Sequence, residues 1–125
     1  MLRILVVDDN DDVRAMLELT CRREGFEVFG ARNGAQALEI AQRQRLDLIV
    51  TDVFMPERDG VETIVAIREQ FPHVKIVAMS GWQSAHGPDY LAIARELGAA
   101  ATLRKPFAPP ELIRVVRRLA ESRPD

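Results

Sequence analysis

The stretch Ile4–Asp12, "ILVVDDNDD", decides how the chain is read. Four aliphatic residues run without a break, and four aspartates then occupy five positions, 8 to 12. An unbroken β-branched run of this length suits a strand buried on both faces; a half-exposed strand would alternate. Like charges crowded at its mouth repel one another, so another group must offset them.

The same grammar recurs along the chain. Phe26 to Phe29, Leu48 to Val50, Ile76 to Met79 and Ala101 to Leu103 are further short apolar runs. Between them lie segments of helical spacing. Val13, Met16, Leu17 and Cys21 form the first apolar helix face. Ala37, Leu38 and Ala41 follow Asn33, a helix-capping residue, and Val61, Ile64, Val65 and Phe71 follow Asp59, with Glu62 completing a capping box. Tyr90, Leu91, Ala94 and Leu97 make a fourth helix, opened by Pro88 and closed by Gly98. Leu112, Val115, Val116 and Leu119 make a fifth, begun by Pro109 and Pro110. Five βα units with short connections predict an α/β fold: a five-stranded parallel sheet, doubly wound, with helices on both faces.

Composition sets the outer limits. The chain has 125 residues, the size of one domain, with 47% hydrophobic and 29% charged residues. A net charge of −2 gives no bulk attraction to nucleic acid or anionic lipid. Cys21 is the only cysteine, so no internal disulfide can form, and a reducing compartment is expected. No apolar run approaches the ~18 residues of a membrane span, and no signal-peptide pattern opens the chain. A cytoplasmic location is the expectation. Residues 1–122 read as one domain and 123–125 as a frayed tail, with no output domain following.

In parallel sheets of this kind, chemistry gathers at the carboxyl ends of the strands. Asp8 and Asp9 follow the first strand, Asp52 the third, Ser80 the fourth and Lys105 the fifth. The fold would bring them to one rim. Three carboxylates there suit Mg²⁺, which takes a few carboxylate oxygens and keeps waters that phosphate oxygens can replace. Lys105 supplies a mobile cation for a phosphoryl oxygen, and Ser80 a hydroxyl. Asp52, alone at the end of a central strand, is the candidate nucleophile for an acyl phosphate.

With those residues identified, the chain resembles a response regulator receiver domain of the stand-alone, CheY-like kind, the phosphoacceptor of two-component signalling. The matching stretches are "ILVVDDNDDVR", "DLIVTDVFMPERDG", "VAMSG" and "LRKPF". The resemblance implies a flavodoxin-like (βα)5 fold in which Asp52 takes phosphate from a histidine kinase or histidine phosphotransfer protein. It implies that Asp8, Asp9 and Asp52 hold Mg²⁺ with the backbone carbonyl of Phe54. Ser80 is then the switch hydroxyl and Lys105 the ion-pairing partner of the phosphoryl group, aimed inward by a cis Lys105–Pro106 bond. Phosphorylation would shift a surface made of the fourth helix, fifth strand and fifth helix, which a downstream protein reads, as a monomer or a phosphorylation-promoted dimer. Arg114, Arg117 and Arg118 give the fifth helix a basic edge. No direct DNA binding is expected. A phosphate-shuttle intermediate in a multistep relay and a phosphorylation-independent interaction module are the alternatives.

Three departures from the family pattern stand out. Thr102 replaces the Tyr or Phe usual three residues before the lysine. The segment "SGWQSAHGPDYLAIARELGA" is a few residues longer than usual, around Trp82 to Pro88. Phe54 and Trp82, each two residues beyond a site residue, are bulky where the family controls water access, so slow autodephosphorylation is expected. Phe54 also stands where an aspartyl phosphatase needs its general acid, which argues against turnover of external substrates. The acidic first loop likewise argues against a nucleotide- or flavin-binding site, which would want a glycine-rich turn there.

Overall fold

The computed structural model describes residues 1–53, 60–81 and 89–121. Five strands, β1 (Arg3–Val7), β2 (Glu27–Ala31), β3 (Leu48–Asp52), β4 (Lys75–Ser80) and β5 (Ala101–Arg104), alternate with five helices. The helices are α1 (Asp11–Arg23), α2 (Gly34–Arg43), α3 (Gly60–Gln70), α4 (Tyr90–Glu96) and α5 (Pro109–Glu121). Every strand pair is parallel and the order is β2-β1-β3-β4-β5. This is the doubly wound parallel sheet expected from the repeating βα grammar, in the flavodoxin-like arrangement that the resemblance implies. The winding reverses at β1, which pairs with β2 on one side and β3 on the other. That reversal opens a crevice at the carboxyl ends of β1 and β3.

The unbroken apolar runs follow from two separate cores. Leu5, Val7, Ile49, Ile76 and Ala78 face one side of the sheet, where they pack with Ala37, Ala41, Ile64, Ile67, Leu91 and Ala94 of α2, α3 and α4. Ile4, Val6, Leu48, Val50, Val77, Met79 and Leu103 face the other, against Leu17, Cys21, Leu112, Val116 and Leu119 of α1 and α5. Alternate residues of one strand thus serve different cores, so every position must be apolar. Burying each Val, Leu or Ile contributes roughly 1.5–3 kcal/mol. Cys21 is fully buried, and burial, with a lesser push from Glu24, raises its thiol to about 11. It is an inert core residue at neutral pH.

Local signals place the helix ends. Asn10 accepts from the Val13 amide at 3.0 Å, Asp11 and Asp12 fill the first turn of α1, and Arg22 and Arg23 its last turn. Asn33 caps α2 through the Gln36 amide at 2.9 Å. Gly98, at φ +109°, closes α4, and the Ala99 amide reaches back to the Ala94 carbonyl at 2.9 Å.

Two readings need adjustment, and α4 has a cap that the sequence reading did not name. The capping residue of α4 is Asp89, whose carboxylate accepts from the Ala92 amide at 3.2 Å. The second strand begins one residue later than Phe26 and continues to Ala31, because its pairing with β1 runs on to Val7. Met16 does not join the core but stands 45% exposed beside Leu19 at 49%. The sheet covers only a narrow stripe of α1, centred on Leu17 and Cys21. The Asp59 cap, the Pro88 helix start, the Trp82–Pro88 stretch and the 123–125 tail lie outside the described residues.

Candidate functional site

The rim is built by strands that end in register. β1 stops at Val7, and Asp8 follows with its amide donating to the Ala31 carbonyl at 3.1 Å. Asp52 closes β3 opposite Met79 of β4, and Ser80 closes β4 opposite Arg104 of β5. Two backbone bonds continue the lattice past the strands. The Val53 amide donates to the Met79 carbonyl at 2.8 Å, and the Lys105 amide to the Ser80 carbonyl at 2.8 Å. The sheet itself therefore fixes where the side chains emerge. The Lys105–Pro106 bond is cis.

Asp8, Asp9 and Asp52 converge there, each offering a carboxylate oxygen within 4.8 Å of the others. Asp8 is 1% exposed and Asp52 8%, while Asp9 is open to solvent. Lys105 Nζ lies 2.7 Å from Asp8 Oδ2 and 3.1 Å from Asp52 Oδ2. The other Asp8 oxygen, Oδ1, accepts from the Asn10 amide at 2.9 Å. One ammonium thus answers two nearly buried carboxylates, which is the offset that the crowded aspartates demanded. Burial alone would pull the Lys105 pKa down; the hydrogen bonds and charges of Asp8 and Asp52 outweigh it, and the value is raised.

Ser80 is 1% exposed, yet among the described residues its hydroxyl has only a long, 3.5 Å contact with the Gly81 carbonyl. It sits on the rim but makes no described bond to Asp52 or Lys105. Thr102, on the neighbouring strand, accepts a 2.7 Å hydrogen bond from Arg95 of α4. Phe54 and Trp82 fall outside the described residues.

Three further residues shape the site without having been singled out in the sequence. Gly60 donates to the Val53 carbonyl at 2.7 Å, and a Cβ built there would stand 2.1 Å from the Asp52 carbonyl oxygen and 2.6 Å from Val53 Cα. Only glycine lets α3 begin against the backbone of the Asp52 strand. Arg14 donates to the Asp8 carbonyl at 2.9 Å. Its pairing with Asp11 at 2.7 Å, an i,i+3 contact, is legible in the sequence; its reach to Asp8 is not. Arg95 carries no local signal at all.

The donor set fits a hard divalent cation. Three carboxylates offer oxygen ligands, Asp9 faces solvent, and among the described residues no soft sulfur or imidazole ligand belongs to the cluster. The acidic triad is consistent with a Mg²⁺ site.

Residues 4–117 match the family of response regulator receiver domains, and the chain belongs to that family. It is 41% identical over 121 residues to the transcriptional regulatory protein PrrA of Mycobacterium tuberculosis. That alignment covers 97% of this chain and 51% of PrrA, so the chain spans about half the length of such relatives. It is 32% identical to sporulation initiation phosphotransferase F of Bacillus subtilis, over 84% of this chain and 82% of that protein. Among solved structures, the chemotaxis protein CheY4 of Vibrio cholerae superposes with a TM-score of 0.85 at 33% identity, covering 95% of this chain and 98% of that one. Receiver domains are phosphoacceptor signalling domains rather than conventional enzymes, and they pair with histidine kinases or phosphotransfer proteins. No described helix is long and apolar enough to cross a membrane.

Proposed function

We propose that this chain is a phosphorylation switch in which Asp52 accepts a phosphoryl group from a phosphohistidine of a kinase or phosphotransfer protein. The supporting observation is the convergence of Asp8, Asp9 and Asp52 into one cluster, with Lys105, 97 positions from Asp8, bonded to Asp8 and Asp52. An Asp52 carboxylate oxygen attacks phosphorus, the P–N bond to the donor imidazole breaks, and an acyl phosphate forms. When bound, Mg²⁺ would be held by Asp8, Asp9 and Asp52 with the backbone carbonyl of Phe54, and would supply charge stabilisation for the transferring group. Lys105 exchanges its bond to Asp52 for one to a phosphoryl oxygen. Ser80 trades its long contact with Gly81 for a phosphoryl partner. Bonds made only in the phosphorylated state shift the β4–α4 connection and the α4–β5–α5 surface that a downstream protein reads. Thr102 takes the place of the aromatic residue in that movement. Phe54 and Trp82 hinder in-line water and slow phosphate loss. The cytoplasm is the compartment in which such donors act.

A second reading, a shuttle passing phosphate onward in a multistep relay, is favoured by the similarity to the sporulation phosphotransferase along most of both chains. Both readings share the acyl phosphate. Incubation with Mg²⁺ and acetyl phosphate, followed by intact mass spectrometry, should give one phosphate adduct that Asp52→Asn abolishes. An adduct that survives Asp52→Asn would overturn the assignment. Back-transfer of the phosphate to an isolated histidine phosphotransfer protein separates the shuttle from the terminal switch.

A further inference from the structure

The peptide unit joining Asp8 to Asp9 carries both acids of the first loop, one on each side. Its tilt sets how the two carboxylates point relative to each other. β1 has ended at Val7, so the Asp8 carbonyl lies beyond the strand. Its oxygen is held by Arg14, one turn into α1, whose Nη1 donates to it at 2.9 Å. The same guanidinium donates through Nη2 to Asp11 Oδ1 at 2.7 Å, and Arg32 Nε stands 3.9 Å from that oxygen. The Arg14 side chain is only 17% exposed, against 66% for Arg32. Arg14 is therefore a sunken, two-pronged clamp between the start of α1 and the loop, whereas Arg32 is a surface charge nearby.

We infer that Arg14 is a positioning residue for the Asp8–Asp9 pair: by pinning the Asp8 carbonyl it fixes the peptide plane that aims both carboxylates at the cation. The inference rests on the reading of this rim as a Mg²⁺ site. It has an unusual sign. Removing a cation beside an acidic cluster should, by Coulomb attraction alone, strengthen Mg²⁺ binding. Losing the clamp should weaken it, because carboxylates that wander must be re-ordered on binding. Charge and geometry pull in opposite directions, so the direction of change identifies which one acts.

The test is isothermal titration of the full chain with Mg²⁺ alone. Arg14→Ala should bind about tenfold more weakly, the loss typical of removing an outer-shell partner. Arg14→Lys keeps the charge but cannot bridge two acceptors as a fork; it should also weaken binding, by roughly half as much on a logarithmic scale. Arg32→Ala, the charge control, should bind as tightly as wild type or slightly tighter. An Arg14→Ala protein with unchanged circular dichroism and equal or tighter Mg²⁺ affinity overturns the inference. If Arg14→Ala does not fold, Arg14→Lys decides: folded and weakened supports the clamp, folded with wild-type affinity removes it. A wild-type protein that takes up no Mg²⁺ sinks the metal site itself, a distinct result from variants that match a binding wild type.

Discussion

The two sides of the rim are built differently. On the β1–β3 side, Lys105 bonds both Asp8 and Asp52, the two carboxylates are close to fully buried, and the backbone beneath them is packed against Gly60. On the β4–β5 side, the Ser80 hydroxyl has one contact at 3.5 Å, and α4 is pinned to β5 by an exposed Arg95–Thr102 bond. α4 is also short, seven residues with two buried, Leu91 and Ala94. The first side holds a charge arrangement in place. The second has weaker side-chain contacts among the described residues. The proposed switch would need both, because a phosphoryl group could move only those parts whose resting contacts are weak.

Lys105→Ala should produce the largest effect. It strips two nearly buried carboxylates of their common partner and should cost about 2 to 3 kcal/mol in urea denaturation. Millimolar Mg²⁺ should restore much of that loss by binding the folded state alone. A variant as stable as wild type without Mg²⁺ would mean that the firm side is not held by this ion pair.

The pH dependence follows from the raised Lys105 pKa. A raised folded-state value means stabilisation that is complete below the unfolded value, ordinarily 10.5 for lysine, and lost only as pH climbs through the higher folded value. The stability gap between wild type and Lys105→Ala should therefore stay level from neutral pH to about 10 and close above the ordinary lysine value. Paired denaturation curves across that range read it directly.

Two glycines test the contrast at the backbone. An alanine at Gly60 would drive its methyl into the Asp52 and Val53 backbone, whereas no described residue lies within 4 Å of a Cβ at Gly81. Gly60→Ala should cost about 1–3 kcal/mol and slow phosphorylation by acetyl phosphate. Gly81→Ala should stay within about 0.5 kcal/mol of wild type. Equal melting temperatures for the two variants would erase the distinction between the sides.

The smallest effect belongs to the α4 tether. Thr102→Val and Arg95→Ala each remove the same exposed bond, worth about 0.5 kcal/mol. Because that bond belongs to the resting arrangement, its loss should tighten beryllofluoride binding about twofold in either variant. The double variant should show no further gain, and additive gains would show that the two residues act separately.

Much of this was legible before folding. Buried strands announce themselves because neighbouring residues serve opposite cores, and Asp8, Asp52, Ser80 and Lys105 stand out because each follows such a run. Met16 misled because helical spacing marks an apolar stripe but not its width, and the sheet needs only Leu17 and Cys21 from α1. Gly60 and Arg14 act through contacts with the ends of β3 and β1, so their importance is tertiary. Arg95 reaches Thr102 across from α4 to β5, a pairing that no local pattern encodes.

The bond from the Lys105 amide to the Ser80 carbonyl ties the site's cation to the same strand end that carries the Ser80 hydroxyl. Such a tether keeps the counter-ion at a fixed, high effective concentration rather than drawing it from the surrounding salt. Charge that the proposed phosphorylation adds at Asp52 would thus be met from within the protein, with little dependence on ionic strength.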